Sequence, residues 1–552
     1  MLRPTLLAAL LGLASTAIAK DDPSNELIRA VRAGLEGDRS GACLAVALID
    51  GDRVQRAYEC ADRATARPIG PDSAFEIGSV TKPMTAALLA MHIAEGRASL
   101  DDPLAKHLSP GTRVPLFGSE PIRLRHLVTH TSGLPPLPPG MAPADPMDPY
   151  AGLTPAALVD ALGRTPLDRA PGTRFEYSNF AMMLLSHVVS QLGGADVGTQ
   201  LRTRMFEPLG MHGAHAGDAP AGVTPATGHL STGQPTRAWT FHRELAGVGG
   251  VRATLDDMVR YVQANLDRGD TPLQRALVLA QAPVVTPATP SNIGMNWLLQ
   301  RWKPGGTLVA HEGGTGGFSS LVAFVPGTRR GVVILSDTSV NALGGLGALG
   351  MHLLDSSNPA PKPRRAAKAP ADLLKALAGR YQLAGGLGMR LWSKDGVLWG
   401  QADGQPAFEF GYDDAGDFYP RAFDALLSPQ AATGGRRTFH WIQGGGAMLA
   451  RRVDETPASS TPPKPVATGP LEDYVGTYPL APAFALKVTL REGRLHVQGT
   501  GQPAIPVEPI ARDVFAAEVV AAELHFERDA GGTVVAVTLR QAGQALRGER
   551  TQ

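Results

Sequence analysis

Residues 75–96 read FEIGSVTKPMTAALLAMHIAEG, with Ser79 and Lys82 separated by two residues. From Pro83 onward, Met84, Ala87, Leu88 and Met91 recur at helical spacing. Pro83 suits a first helical turn and Gly96 a helix end. The spacing predicts a helix with Ser79 at or next to its N-terminus and Lys82 one turn along the same face. A serine hydroxyl is a poor nucleophile until a neighbour takes its proton. A lysine three residues on can do so if partial burial and the positive helix end keep it neutral part of the time. The same helix end stabilises negative charge developing beside Ser79. Ser-x-x-Lys alone is a two-letter pattern that chance supplies in a long chain, so its weight rests on what lies downstream.

At 552 residues the chain exceeds one ordinary domain. Its composition is that of a soluble globular protein. A net charge of +1 gives no argument for a nucleic-acid or anionic-membrane partner. Residues 1–19 combine Arg3, the apolar run Leu6 to Leu13 and Ala17-Ile18-Ala19, which reads as a secretory leader cut before Lys20. The run is too brief to span a bilayer, and no second long apolar segment follows, so no transmembrane segment is expected. The expected location is the periplasm or the exterior.

Export permits disulfides. Cys43 and Cys60 bracket a predicted hairpin whose loop is Gly51-Asp52. Pairing Asp50 with Arg53 sets the two cysteines directly opposite, in the close, non-hydrogen-bonded position that a disulfide can bridge.

The rest of the chain is read in order. Ser24 is expected to cap a first helix carrying Leu27, Ile28 and Val31. Residues 122–135, IRLRHLVTHTSGLP, place His126 and His130 four apart. Metal ligands use that spacing, but no glutamate lies between them, and bonding to local backbone is the expected role. Residues 171–194 lead through Phe175-Glu176-Tyr177 into a helix capped near Ser178 or Asn179, with Tyr177 and Asn179 free to point into a cleft. Residues 246–266 form a glycine turn and a helix beginning near Thr254. Its glycines lack the strand and the Lys-Ser/Thr of a phosphate loop. Residues 308–324, LVAHEGGTGGFSSLVAF, read as strand, glycine turn, strand, with a further hairpin to Ser336 and a helix from Leu343 to Leu354.

Residues 356–371 and 455–470 are rich in Pro and Ala and read as linkers. The segments after them, 372–454 and 471–552, match at a constant offset of 97 residues: Gly379 with Gly476, Tyr381 with Tyr478, Gly404-Gln405-Pro406 with Gly501-Gln502-Pro503, Phe418 with Phe515 and Leu427 with Leu524. That is a tandem duplication. Its short alternating runs predict two small antiparallel β-barrels, lipocalin-like in form.

Ser79-x-x-Lys82, Tyr177-x-Asn179 and His311-x-Gly313, in this order, resemble the three active-site motifs of the penicillin-recognising serine hydrolases. The branch is that of class C β-lactamases, D-aminopeptidases, DD-peptidases and related esterases. RHLVTHTSGLP, PGTRFEYSN, MFEPLGM and HEGGTGGFSS resemble it too. The resemblance covers about residues 25–355, within a catalytic domain expected at 20–355, and implies an α+β fold: an antiparallel sheet flanked by helices, with a helical subdomain drawn mostly from residues 100–260. It implies that Ser79 forms an acyl-enzyme, that Lys82 and Tyr177 share the proton transfers, and that Asn179, His311, Gly313 and Gly314 contact substrate. The oxyanion hole would be the backbone N–H groups of Ser79 and Gly314. No cofactor and no metal are implied. The two barrels resemble the D-aminopeptidase architecture, which implies a barrel loop reaching toward the cleft.

The third motif often begins with lysine in enzymes that bind a substrate carboxylate. Here it begins with His311, whose ordinary pKa of about 6.5 leaves it mostly uncharged at neutral pH. This weakens the β-lactamase and DD-carboxypeptidase readings. It favours esters, amides or short peptides, including D-amino-acid-containing and peptidoglycan-derived ones, in an exported serine hydrolase that is either D-aminopeptidase-like or a carboxylesterase. A cell-envelope binding or scaffold protein would be expected to carry degraded motifs, and here they are intact.

Overall fold

The computed structural model describes residues 23–551 except 63–68, 142, 144, 146, 290–291, 304, 384–387, 404, 424, 431–437, 444–445, 454–468, 482–483, 492, 501–503, 518–521 and 542–543. The expected leader, most of the second linker and the repeat positions Gly404 and 501–503 lie outside the described residues.

The chain opens with α1 (Pro23–Leu35) and the predicted hairpin β1 (Cys43–Asp50) and β2 (Arg53–Cys60), which starts the sheet. Ser24 lies inside α1 with Pro23 ahead of it, so it is not the cap expected of it. Helices α2 (Thr81–Ala94), α3 (Asn179–Gly193) and α4 (Leu255–Leu266) follow, then β3 (Leu298–Arg301), β4 (Thr307–Gly314), β5 (Ser319–Val325), β6 (Arg330–Ser336) and α5 (Gly347–Leu354). The six strands make one antiparallel sheet in the order β2-β1-β6-β5-β4-β3. Both its faces are covered, which is why CLAVALID and GVVILS read as continuous apolar runs. Leu44, Val46, Val332 and Ile334 pack with Leu27 and Val31 of α1 and Leu349 of α5. Ala45, Ala47 and Val333 face the larger core, with Val259 and Val262 of α4 and with α2. Helix α5 starts later than Leu343 because Gly344 and Gly345, at φ 103° and 71°, break the chain after a 3₁₀ turn.

Cys43 pairs with Cys60 across the hairpin, as the register requires, and the two form a disulfide with Cα atoms 3.9 Å apart.

Beyond the sheet lie the two β-rich units. Eight strands between Gly379 and Arg452 close into a barrel. Eight more between Gly476 and Glu549 form a sheet in sequential order, and a bridge from Thr477 to Thr551 brings its ends together. The duplication is visible in side chains as well as topology. Tyr381 donates its hydroxyl to the Leu377 carbonyl at 3.0 Å, and Tyr478 donates to the Tyr474 carbonyl at 2.9 Å. Phe418 faces Leu427 in the first unit, as Phe515 faces Leu524 in the second.

The stretch expected as the first linker is laid down in contact with both neighbours. Arg364 N–H donates to Asp38 and Ala367 N–H to the Tyr412 carbonyl. Beside it, Arg39 Nε lies 3.0 Å from Asp413 Oδ2, with both side chains buried, and the Arg39 guanidinium sits 3.5 Å from the Tyr419 ring centroid. Arg364 bonds Asp417. A planar guanidinium suits this combined ion-pair and stacking role. Leaving one partner of a buried pair alone costs about 3–5 kcal/mol. Arg39→Met is expected to cost near the low end, about 3 kcal/mol, because Arg364 still lies 3.7 Å from Asp413. The check is the denaturant midpoint of the transition that includes the first barrel; an unchanged midpoint would remove this contact from the forces that dock it.

Candidate active site

Helix α2 is buried on every side from Thr81 to His92, a wider burial than the single stripe read from its sequence. Ser79 lies in the 3₁₀ turn Gly78–Val80 that runs directly into it. Lys82 therefore enters the protein core, 1% exposed, with Nζ 2.7 Å from Ser79 Oγ. Nζ also donates to the Val248 carbonyl at 2.8 Å. Burial lowers the Lys82 pKa from 10.5 to about 7. The amine can therefore exchange a proton with the hydroxyl at neutral pH.

Three close approaches set this geometry. The Val248 carbonyl is presented by the glycine turn 246–250, where a Cβ on Gly247 would stand 2.6 Å from Thr85 Oγ1. A Cβ on Gly313 would meet the Ile77 carbonyl at 2.1 Å, so the end of β4 lies directly on the turn that carries Ser79. Gly78, at φ 49°, would press a Cβ within 2.7 Å of the Gly314 backbone. The backbone beside Ser79 and that of Gly314 are thus adjacent. Ser320 Oγ donates to the Ile77 carbonyl at 2.7 Å and pins β5 to the same turn.

Tyr177 comes in from the loop before α3, whose N-cap is Ser178. Its ring centroid is 5.1 Å from Lys82 Nζ. Tyr177 is 39% exposed overall, but desolvation at its hydroxyl raises the phenol pKa well above 10, against a smaller downward pull from Ser79. The ring stacks on His130 with centroids 4.3 Å apart. His130 Nδ1 accepts the N–H of Ser178 at 3.1 Å, so its bond is to the loop beside Tyr177, not to the local backbone expected. Burial, and the charge of Lys82 after it, hold the His130 pKa far down. His126 does bond locally, accepting the Arg123 N–H at 3.1 Å.

Asn179 Nδ2 donates to Tyr150 Oη at 3.1 Å, and its Oδ1 has no hydrogen-bond partner among the described residues. His311 is 7% exposed, and its Nδ1–H donates to the Glu312 carbonyl at 2.6 Å. Burial, with the Lys82 charge as the second cause, lowers its pKa to about 3. Ser79, Lys82, Tyr177, Asn179 and Gly314 meet at one cleft of about 870 Å³. His311 and Gly313, expected to contact substrate, are not among the described residues that line it.

The family model for Beta-lactamase matches residues 27–355. The chain belongs to the beta-lactamase family. A second model, the Domain of unknown function DUF3471, matches residues 460–550, across the second β-rich unit. The chain is 30% identical over 322 residues to the D-alanyl-D-alanine-carboxypeptidase/endopeptidase AmpH of Escherichia coli (strain K12), covering 54% of this chain and 80% of the relative. It is 26% identical over 382 residues to a beta-lactamase of the same strain, covering 61% and 95%. Among solved structures, D-alanine carboxypeptidase AmpC from Burkholderia cenocepacia superposes with a TM-score of 0.50 at 25% identity, covering 61% of this chain and all of that one. This is therefore a beta-lactamase-family serine hydrolase.

Several residues of this beta-lactamase-family cleft carry no motif in the sequence. Tyr150 stacks on Phe241 at 5.0 Å and meets Trp239 edge-on at 5.3 Å. Buried Glu76 holds that loop by accepting the Trp239 N–H at 2.9 Å and Arg252 at 3.1 Å. Ala422, Phe423 and Gln443 of the first barrel also line the cleft. Gln234 Nε2 donates to the Arg421 carbonyl at 3.4 Å across the junction. The barrel residues stand where the resemblance implied a barrel loop, although nothing in the sequence named them, and the aromatic residues gave no advance signal.

The lysine burial has a stability consequence. The unfolded lysine holds its proton to about pH 10.5, whereas the folded one sheds it near 7. Between those values unfolding takes up a proton, so rising pH favours the folded state. Lys82→Met is expected to flatten the rise in stability between about pH 7 and 10.5 and to gain most on the wild type at the acid end. Parallel stability–pH curves for the two proteins would contradict the lowered lysine pKa.

Proposed function

We propose that this protein is an exported serine hydrolase that cleaves ester or amide bonds through an acyl-enzyme on Ser79. The observation that carries it is the 2.7 Å contact between Ser79 Oγ and a lysine nitrogen buried to a pKa of about 7. Lys82 takes the Ser79 proton as Oγ attacks the acyl carbon. The tetrahedral oxyanion is held by the backbone N–H groups of Ser79 and Gly314, at the head of α2. Collapse breaks the bond to the leaving group, which receives the proton by way of Tyr177. Water then attacks the acyl carbon and gives up its proton along the same route, releasing the acid and restoring Ser79. Lys82 fits the base better than Tyr177, because burial brings its pKa toward neutrality while pushing the phenol away from it. Asn179 orients the substrate amide or ester.

The substrates are small acyl compounds or short peptides, D-amino-acid-containing and peptidoglycan-derived ones among them. His311 supports neutral ends: buried, with its proton fixed on Nδ1, it supplies no charge to a carboxylate. Export to the periplasm or the exterior is supported by the leader pattern of residues 1–19 and by the Cys43–Cys60 disulfide.

Hydrolysis of a D-alanine anilide with its L form, a short-chain nitrophenyl ester and a chromogenic cephalosporin tests this reading. Turnover of the anilide or the ester, lost in Ser79→Ala together with the acyl adduct seen by mass spectrometry, is expected. Unaltered turnover in that variant would sink the reading. Cephalosporin as the best substrate would overturn the argument from His311.

His130→Ala removes the ring that stacks on Tyr177 and the acceptor for Ser178. A ten- to a hundredfold fall in kcat is expected from the misplaced phenol. The acid limb of kcat/KM should stay near pH 7, since Lys82 sets it. A wild-type kcat, or a limb displaced with it, would deny His130 this positioning role.

A further inference from the structure

The cleft carries an unusual charge balance for its size. Its volume is about 870 Å³, and among the described residues lining it Lys82 is the one cation and none is a carboxylate. The Lys82 nitrogen is already committed to Ser79 Oγ and the Val248 carbonyl. His311 is buried, is not among the lining residues and bonds the Glu312 carbonyl, so it presents no compensating charge to the cleft. A substrate carboxylate or ammonium drawn into such a space loses its hydration and finds no counter-ion.

The lining pairs uncharged polar side chains (Asn179, Gln234, Thr315, Ser339, Asn341, Gln443) with a large apolar surface. Tyr150, Phe241 and Trp239 form one aromatic face. Phe423 of the first barrel contributes to the lining, backed inside the barrel by Phe408 at 4.9 Å and Trp441 at 6.2 Å. At the rim Leu137 and Met147 are 44% and 40% exposed. With the aromatic face they give one side of the cleft an apolar surface that an uncharged group can cover.

We infer that the cleft selects acyl substrates that are uncharged on both sides of the scissile bond and carry an aromatic or long alkyl group, with barrel residue Phe423 as part of the subsite. This rests on the serine hydrolase reading and narrows it: blocked or cyclic apolar peptides and lipophilic esters fit, while peptides with a free end at the scissile residue do not.

Two matched pairs test it on the full-length protein. One pair is p-nitrophenyl 4-phenylbutyrate against p-nitrophenyl hemiglutarate; the other is N-acetyl-D-alanine p-nitroanilide against D-alanine p-nitroanilide. In each pair kcat/KM is expected to be at least about tenfold higher for the uncharged member, because a charge that loses its hydration without a partner is disfavoured by at least that much. A charged member equal to or better than its partner, in either pair, overturns the inference. Phe423→Lys, which adds a cation to the wall, is expected to raise the ratio of hemiglutarate to phenylbutyrate turnover about tenfold, and an unchanged ratio removes Phe423 from the subsite. Labelling by a fluorophosphonate separates the two levels. Ser79 labelled with no neutral preference defeats this inference alone, and Ser79 unlabelled with no turnover defeats the hydrolase reading with it.

Discussion

One lysine nitrogen, taken out of water into an apolar helix bundle, constrains the rest of the catalytic unit. A buried ammonium is costly unless hydrogen bonds replace its hydration. Here the replacements come from opposite sides: Ser79 Oγ from the turn before α2 and the Val248 carbonyl from a glycine turn 166 residues away in sequence. Both turns must therefore reach the same point, and side chains larger than hydrogen at Gly247, Gly78 and Gly313 would prevent it. The sheet, in turn, is bound to the Ser79 turn through Ser320 and the end of β4. The fold holds the lysine where it is least comfortable, and that discomfort is what makes the amine usable as a base near neutral pH.

Around this centre the titratable groups are pushed in opposite directions by the same cause. Burial brings Lys82 down toward neutrality, raises the Tyr177 phenol, and removes the charge from His130 and His311. The outcome is a site whose two histidines work as shaped, neutral hydrogen-bonding pieces. His130 braces Tyr177 by stacking and holds the adjoining Ser178 N–H. His311 turns its Nδ1–H back on its own strand. Neither competes with Lys82 for protons.

The two β-rich units are copies in their cores, yet they stand in different relations to the cleft. The first is fastened to the catalytic unit by the buried Arg39–Asp413 pair and by stacking of Arg39 on Tyr419, and it places Phe423 and Gln443 at the cleft wall. At the corresponding positions the second copy has Val520 in place of Phe423 and Ala516 in place of Tyr419. The inward residues of the duplication keep each barrel folded; the outward ones make the first copy part of the site.

Much was legible in the sequence because it depends on local spacing. The Ser79–Lys82 turn, the cap at Ser178 or Asn179 and the cysteine register are set by neighbours along the chain or by one hairpin, and the 97-residue repeat is visible by comparing the sequence with itself. What spacing could not give was depth and company. Nothing local distinguishes His130 from His126, yet one braces Tyr177 and the other bonds Arg123, because only the fold brings residue 130 to residue 177. The stretch 356–371 has a linker's composition, but charged partners on both sides hold it in place. The aromatic wall of Tyr150, Trp239, Phe241 and Phe423 is drawn from three distant segments with no shared pattern. The sequence by itself determined which groups could do the chemistry. The tertiary structure decided their protonation and the shape and polarity of the space they face, because desolvation and packing are properties of what surrounds a residue, not of its place in the chain.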